Sequence, residues 1–266
     1  MTATDTTGRS VTGNGATAAS DVVLAVERLT KRFGGIDAVA DVSFTVAAGE
    51  LVALIGPNGA GKTTCFNLVN GQLAPDSGSV SLAGERIDRL PPREIARRGV
   101  GRTFQVAATF ASMTVRENVQ LALLAQAGAH RGVATRAASF MREEADALLA
   151  RVRMTRFADQ GCATLAYGDA KRVELALALA ASPRLLLMDE PTAGMSPRSR
   201  GRVMELAAEL ARKERIAVLF TEHDMDVVFG YADRIVVLDH GRVIAAGRPA
   251  EIRADPLVQA VYLGEG

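Results

Sequence analysis

Little in this chain of 266 residues offers a metal site or a disulfide framework, because it holds two cysteines and three histidines. Cys65 and Cys162 fit no zinc-ligand spacing, so both read as reduced thiols of a cytosolic protein. His130 and His240 fall in segments that read as loops, which leaves His223 without companions for a metal cluster. Charge of one sign is also missing. With 31 basic and 30 acidic side chains the net charge is +1 at a pI near 7.8, which gives no electrostatic case for nucleic acid. No apolar run approaches the ~18 residues that a bilayer-spanning helix needs. The N-terminus lacks the basic-then-apolar order of a signal peptide. Any membrane role is therefore expected to come through a partner. Lysine is scarce as well: four lysines stand against 27 arginines.

Against that background, one of the four lysines sits in the most informative stretch, Leu51 to Thr64, reading L-V-A-L-I-G-P-N-G-A-G-K-T-T. The apolar run Leu51 to Ile55 has no helical periodicity and reads as a buried strand, and Gly56-Pro57-Asn58-Gly59 forces a turn. Gly61-Lys62-Thr63-Thr64 then opens a segment, Cys65 to Asn70, whose composition suits a helix. Strand, glycine loop and helix in that order are the context that makes G-x-x-x-x-G-K-[ST] a phosphate-binding loop. Glycine lets the backbone N–H groups of Gly56, Asn58, Gly59, Ala60, Gly61 and Thr64 converge on a polyphosphate, and the helix N-terminus adds partial positive charge. Lys62 is placed to reach the outer phosphates and Thr63 to hold Mg²⁺. In a chain that otherwise uses arginine, lysine here suits a compact point charge.

Residues 1–20, rich in Thr, Gly, Ala and Ser, are expected to form a disordered tail. From Val22 to Val46 loose alternation suggests antiparallel strands joined at Gly34-Gly35. Phe33, on this layer, reads on its own as a core aromatic. Pro75 to Gly78 is a turn signal, Ser79 to Ile87 a strand pair around Gly84, and Pro91 to Glu94 a helix start. Val100 to Gln105 is a short extended run. Thr114-Val115-Arg116-Glu117 looks like a capping box, and Ala137 to Val152 repeats the helical signal, so the block to Gln160 reads as an inserted helical subdomain. Strands return at Leu185 to Met188 and Ile216 to Phe220. The first ends in Asp189-Glu190, which places carboxylates where a sheet opens toward ligands, Asp189 to hold Mg²⁺ and Glu190 to polarise an attacking water. The second leads to Thr221-Glu222-His223-Asp224, with His223 placed for a γ-phosphate contact. Arg234 to Ala245 reads as a final hairpin and Ala250 to Leu263 as a closing helix interrupted near Pro256.

With these residues in place the chain, from Val22 onward, resembles an ABC transporter nucleotide-binding subunit. The discriminating stretch is Leu165-Ala166-Tyr167-Gly168-Asp169, followed by a helix expected over Lys171 to Ala181, which is similar to the family's signature motif. The resemblance implies an α/β fold: a P-loop NTPase core of mostly parallel sheet with flanking helices, an antiparallel β subdomain and an inserted α-helical subdomain. Its boundaries are expected at 21–105 and 166–250 for the core with its β subdomain, 106–165 for the insert and 251–266 for a C-terminal extension. It further implies an ATPase whose cofactors are ATP and Mg²⁺, each ATP sandwiched in a head-to-tail dimer with a second, identical or paralogous, ATPase subunit. By resemblance Phe33 stacks on adenine, Gln105 links Mg²⁺ and the attacking water to the membrane partner, His223 is the switch histidine, and Ala166, Tyr167, Gly168 and Asp169 face the nucleotide of the opposite subunit. Against the common L-S-G-G-Q, Ala166 replaces the serine, Tyr167 a glycine and Asp169 the glutamine, so anion contact there rests on backbone N–H groups near Gly168 and on the helix dipole. Ala193-Gly194-Met195-Ser196 lacks the acid often found at its last position. The stretches L-A-Y-G, D-E-P-T-A-G-M, T-E-H-D-M-D-V-V and V-Q-A-V-Y-L-G are most similar to the ATPases of branched-chain (hydrophobic) amino-acid importers, a pattern shared in large part by urea or amide importers and lipopolysaccharide exporters. A soluble ABC ATPase acting on ribosomes or DNA fits less well, since such chains usually carry two cassettes, long coiled coils or a basic arm. The implied partners are integral membrane permease subunits, with a solute-binding protein reached indirectly, and the implied place is the cytoplasmic face of the inner membrane. A partner helix is expected to dock near Phe104, Phe110 and Met113.

Overall fold

The computed structural model describes residues 21–103, 109–127 and 141–263. Two sheets organise it. Strands β1 (Val22–Phe33), β2 (Ile36–Ala47), β4 (Ser77–Leu82) and β5 (Glu85–Arg86) form an antiparallel sheet in the order β2-β1-β4-β5. Strands β3 (Leu51–Ile55), β6 (Val100–Thr103), β7 (Leu185–Asp189), β8 (Ala217–Thr221), β9 (Arg234–Asp239) and β10 (Arg242–Gly247) form a second sheet, ordered β10-β9-β3-β8-β7-β6, parallel but for the edge strand β10. This is the mixed α/β fold of a P-loop NTPase.

β3, β7 and β8 are buried along their whole length, as their unbroken apolar runs predict for strands covered on both faces. Alternate residues of β3 feed different cores. Leu51, Ala53 and Ile55 join the cluster under helices α5 (Tyr167–Leu179) and α6 (Pro197–Glu214), while Val52 and Leu54 join the one shared with the antiparallel sheet and helix α1 (Lys62–Val69). One strand therefore anchors the loop at its end to both layers.

The turns follow local chemistry. Gly34 and Gly35 close β1 onto β2 with φ of 52° and 89°. Helix α2 (Pro92–Arg97) starts on Pro92, in its first turn. Helix α3 (Val115–Gln126) carries the full capping box: the Thr114 hydroxyl accepts from Glu117 N at 3.2 Å, and Glu117 Oε2 accepts from Thr114 N at 2.7 Å. Helix α4 (Arg142–Arg151) gives the second helical signal, whose first residues lie outside the described ones. Helix α7 (Met225–Tyr231) follows β8, and the closing segment is split at Pro256 into α8 (Pro249–Ala254) and α9 (Pro256–Leu263). One boundary differs from expectation. α5 begins at Tyr167, not Lys171, and ends at Leu179: extended Ala166 serves as N-cap, and Asp169 in the first turn is paired with Arg172 and favoured by the helix dipole.

Candidate active site

At the end of β3 the chain turns through Gly56 to Gly61 into α1. Gly61 has φ 100°, and a Cβ there would stand 2.3 Å from the Ala38 carbonyl oxygen, so only glycine lets the loop pass β2 so closely. Lys62 folds back across the loop, its Nζ donating to the carbonyls of Gly56 at 2.6 Å and Pro57 at 2.9 Å. Burial lowers its pKa, and the carboxylates of Glu190 and Asp189 oppose that shift. A cavity of about 200 Å³ opens here, lined by Ala38, the loop from Asn58 to Thr64, Glu190 and His223.

The register of β7 on β8 assembles the acids. Asp189 pairs with Thr221 across the sheet. The Thr221 hydroxyl donates to Asp189 Oδ1 at 2.7 Å and accepts from the Glu190 backbone N–H at 3.1 Å. Arg102, from β6, reaches the other Asp189 oxygen at 3.4 Å while donating to Asn67 and Gln72 at the far side of α1. Glu190 then leaves the strand with φ 47°, a left-handed conformation that costs a non-glycine residue energy and is a mark of functional positions. Its Oε1 lies 2.7 Å from His223 Nε2. Behind this pair Glu222 is buried, accepting from Thr192 N at 2.8 Å, Thr192 Oγ1 at 2.5 Å and His223 N at 3.2 Å. Thr192, Thr221, Glu222 and Arg102 were not picked out as site residues from the sequence. The sequence signal for Thr192, Thr221 and Glu222 is their place beside the strand-end acids and histidine, whereas Arg102 lies 87 positions from Asp189 and carries no such signal.

This donor set fits magnesium held on phosphate oxygens. Thr63 lines the loop cavity, the Asp189 carboxylate ends β7 next to Glu190, which lines it too, and among the described residues no three His, Cys, Asp or Glu side chains form a metal cage of their own.

Other sequence-stated residues lie elsewhere. Phe33 is not a core aromatic: it stands 47% exposed beside the β1–β2 turn, with Lys31 Nζ 5.7 Å from its ring, and does not line the cavity, because the strand ends there in the Gly34-Gly35 turn. Ala38 is the β2 residue that reaches the loop. Gln105 and Phe104 lie outside the described residues. Ala166, Tyr167, Gly168 and Asp169, at the start of α5, do not line the loop cavity, and Tyr167 is 51% exposed with no side chain capping the first turn. Arg200 bonds the Met195 carbonyl at 2.9 Å and pairs with Asp224, tying the 193–196 segment to the end of β8.

A glycine turn between buried strand and helix, a buried lysine across it and an acid pair at a neighbouring strand end define a P-loop nucleoside triphosphatase. The sequence profile of the ABC transporter family matches residues 39–193, and that of the C-terminal segment of branched-chain amino acid ATP-binding cassette transporters matches 242–266. The chain belongs to the ABC transporter family. It is 41% identical over 254 residues to the high-affinity branched-chain amino acid transport ATP-binding protein LivG of Escherichia coli K12, covering 92% of this chain and 99% of LivG. It superposes on the ADP conformation of MJ1267, an ATP-binding cassette of an ABC transporter, with a TM-score of 0.80 at 31% identity, covering 91% and 99% of the two chains. On the dimeric structure of MJ0796, a bacterial ABC transporter cassette, the TM-score is 0.71 at 27% identity, over 85% and 98%.

Proposed function

We propose that this chain is the ATP-hydrolysing subunit of an importer of branched-chain amino acids, working as a dimer beneath separate membrane subunits. The observation that carries the chemistry is the chain of contacts Asp189–Thr221–Glu190–His223 around the loop cavity. Lys62 and the loop amides bind the β- and γ-phosphates. Thr63 and Asp189 hold Mg²⁺, which supplies charge neutralisation on phosphate oxygens when bound. Glu190, its carboxylate aimed by His223 and its backbone by Thr221, orients and deprotonates the water for in-line attack, and His223 supports the γ-phosphate. Gln105 is assigned the link between this site and the membrane partner, and Phe33 the face of adenine.

The opposite wall of each site is assigned to Ala166 to Asp169 of a second copy, whose first-turn amides in α5 meet the triphosphate. The dimeric cassette MJ0796 supports assembly as a dimer, and the LivG relative supports the cargo. For the membrane subunit, a cavity of about 370 Å³ between α2, β6 and α5 is a fitting seat, with exposed Phe110 on the segment leading to α3. Arg102 lines that cavity and contacts Asp189, so an occupant there bears on the acid that holds magnesium. Two measurements test the reading. The purified chain with Mg²⁺ should hydrolyse ATP, and absence of both binding and hydrolysis would overturn it. Deleting the gene in its host should abolish high-affinity uptake of labelled leucine; undiminished uptake would remove the cargo assignment and leave the ATPase intact.

A further inference from the structure

The C-terminal segment takes no part in the roles above, yet it ends behind the phosphate loop. Helix α9 packs on β10, and its Val261 lines a second cavity of about 270 Å³ with Pro57, Asn58, Gly59, Ala60 and the β9–β10 turn residues Asp239 and His240. One residue further, Tyr262 turns into the core. Its hydroxyl is shut off from solvent and makes no hydrogen bond of ordinary geometry. Burial pushes the phenol pKa well up, and the Gly56 amide faces it. Gly56 is confined from another direction too: at φ 156°, a Cβ on it would lie 2.2 Å from the Leu238 carbonyl oxygen. The first turn of the loop is thus held between the end of β9 and the tyrosine. A buried hydroxyl met only by one backbone amide, at a geometry short of a full hydrogen bond, costs stability that phenylalanine would not, and such costs collect at functional sites.

We propose that Tyr262 is a positioning residue for the phosphate loop, with the C-terminal helix fixing the pose of Gly56 and through it the affinity for nucleotide phosphates. The proposal rests on the nucleotide reading of Leu51 to Thr64. It predicts a split that a purely structural tyrosine would not give. In the full-length protein, Tyr262→Phe should raise the Kd and KM for Mg·ATP by at least about threefold while kcat stays within about twofold and the melting temperature holds or rises. Tyr262→Ala should weaken binding further and also lower the melting temperature, and Leu257→Ala, on the exposed face of α9, should do neither. Wild-type affinity in Tyr262→Phe overturns the proposal, whatever Tyr262→Ala does. Failure of the wild-type chain itself to bind Mg·ATP would instead overturn the nucleotide reading, so the two failures are distinguishable.

Discussion

Around the phosphate loop the polar side chains are held by this chain's own groups: Lys62 by two carbonyls, Asp189 by Thr221 and Arg102, Glu190 by His223. At the start of α5 the opposite holds. Ala166 offers no capping side chain, Tyr167 is half exposed with Lys171 Nζ 5.7 Å from its ring, and Asp169 is tied to Arg172. The first region is pre-organised for charge before any ligand arrives, which is what electrostatic catalysis requires. The second is the N-terminus of a 13-residue helix with no side-chain cap, where the Asp169 and Ala170 amides bond the Ala166 carbonyl and the amides of Tyr167 and Gly168 are left to meet a polyanion brought to them. One half of the proposed site is built within the chain, and the other half is an unpaired surface that becomes a site through association.

The largest test of this contrast lies in the closed half. Glu190→Gln keeps the side-chain shape and removes the base, so turnover should fall by about 10² to 10⁴ while nucleotide affinity changes little. The variant should accumulate as an ATP-bound dimer on size-exclusion chromatography. Normal turnover would show that Glu190 is not the base.

In the bare half, Tyr167→Asp separates stability from function. An acid in the first turn of α5 should stabilise the helix by about 0.3–1 kcal/mol, and it should repel the triphosphate that the same terminus is assigned to meet. The expected result is an unchanged or higher melting temperature, unchanged nucleotide binding by dilute monomer, and hydrolysis reduced roughly tenfold, equivalent to about 1.4 kcal/mol. Equal loss of monomer binding would place Tyr167 in the same site as Lys62 and dissolve the contrast.

The closed half was partly legible in the sequence because its signals are local. Leu51 to Thr64 carries strand, turn and helix in consecutive residues, and Asp189-Glu190 and His223 each end an apolar run. What was not legible is the joinery between them. Thr221 and Asp189 meet through a strand register 32 positions apart, and Arg102 reaches Asp189 from 87 positions away. Such contacts depend on sheet order, which no window of sequence encodes. Phe33 shows the converse, since an aromatic on an alternating strand reads as core and the turn beside it leaves the ring in water. The early start of α5 has a similar cause, because Gly168 in the first turn hides a helix that Asp169 supports through the helix dipole and its pairing with Arg172.

Thr221→Val tests that joinery at a smaller scale. The substitution strips both hydroxyl bonds: the Glu190 amide keeps its bond to the Thr221 carbonyl at 3.2 Å, but buried Asp189 Oδ1 loses its donor, which should cost about 1–3 kcal/mol by denaturant titration. Turnover should fall about tenfold with magnesium affinity weakened in parallel, because Asp189 loses its orienting donor. Loss of stability with unchanged kcat and magnesium dependence would make Thr221 a purely structural residue.

The smallest effect at neutral pH belongs to Cys65, which lies on α1 directly behind the loop and is fully buried. Burial pushes its thiol up from 9.0 to about 12. The unfolded chain therefore ionises this thiol above pH 9.0 while the folded chain keeps it protonated. The stability it contributes is complete below pH 9.0 and is lost as pH rises toward 12, at about 1.4 kcal/mol per pH unit. Cys65→Ala should remove that slope and leave the neutral-pH pH dependence unchanged. The same burial predicts that maleimide leaves native Cys65 unmodified, with or without ATP, and labels it only on unfolding. Rapid labelling that ATP prevents would show the loop opening to solvent, and would turn the closed half of the site into a second half that a ligand must assemble.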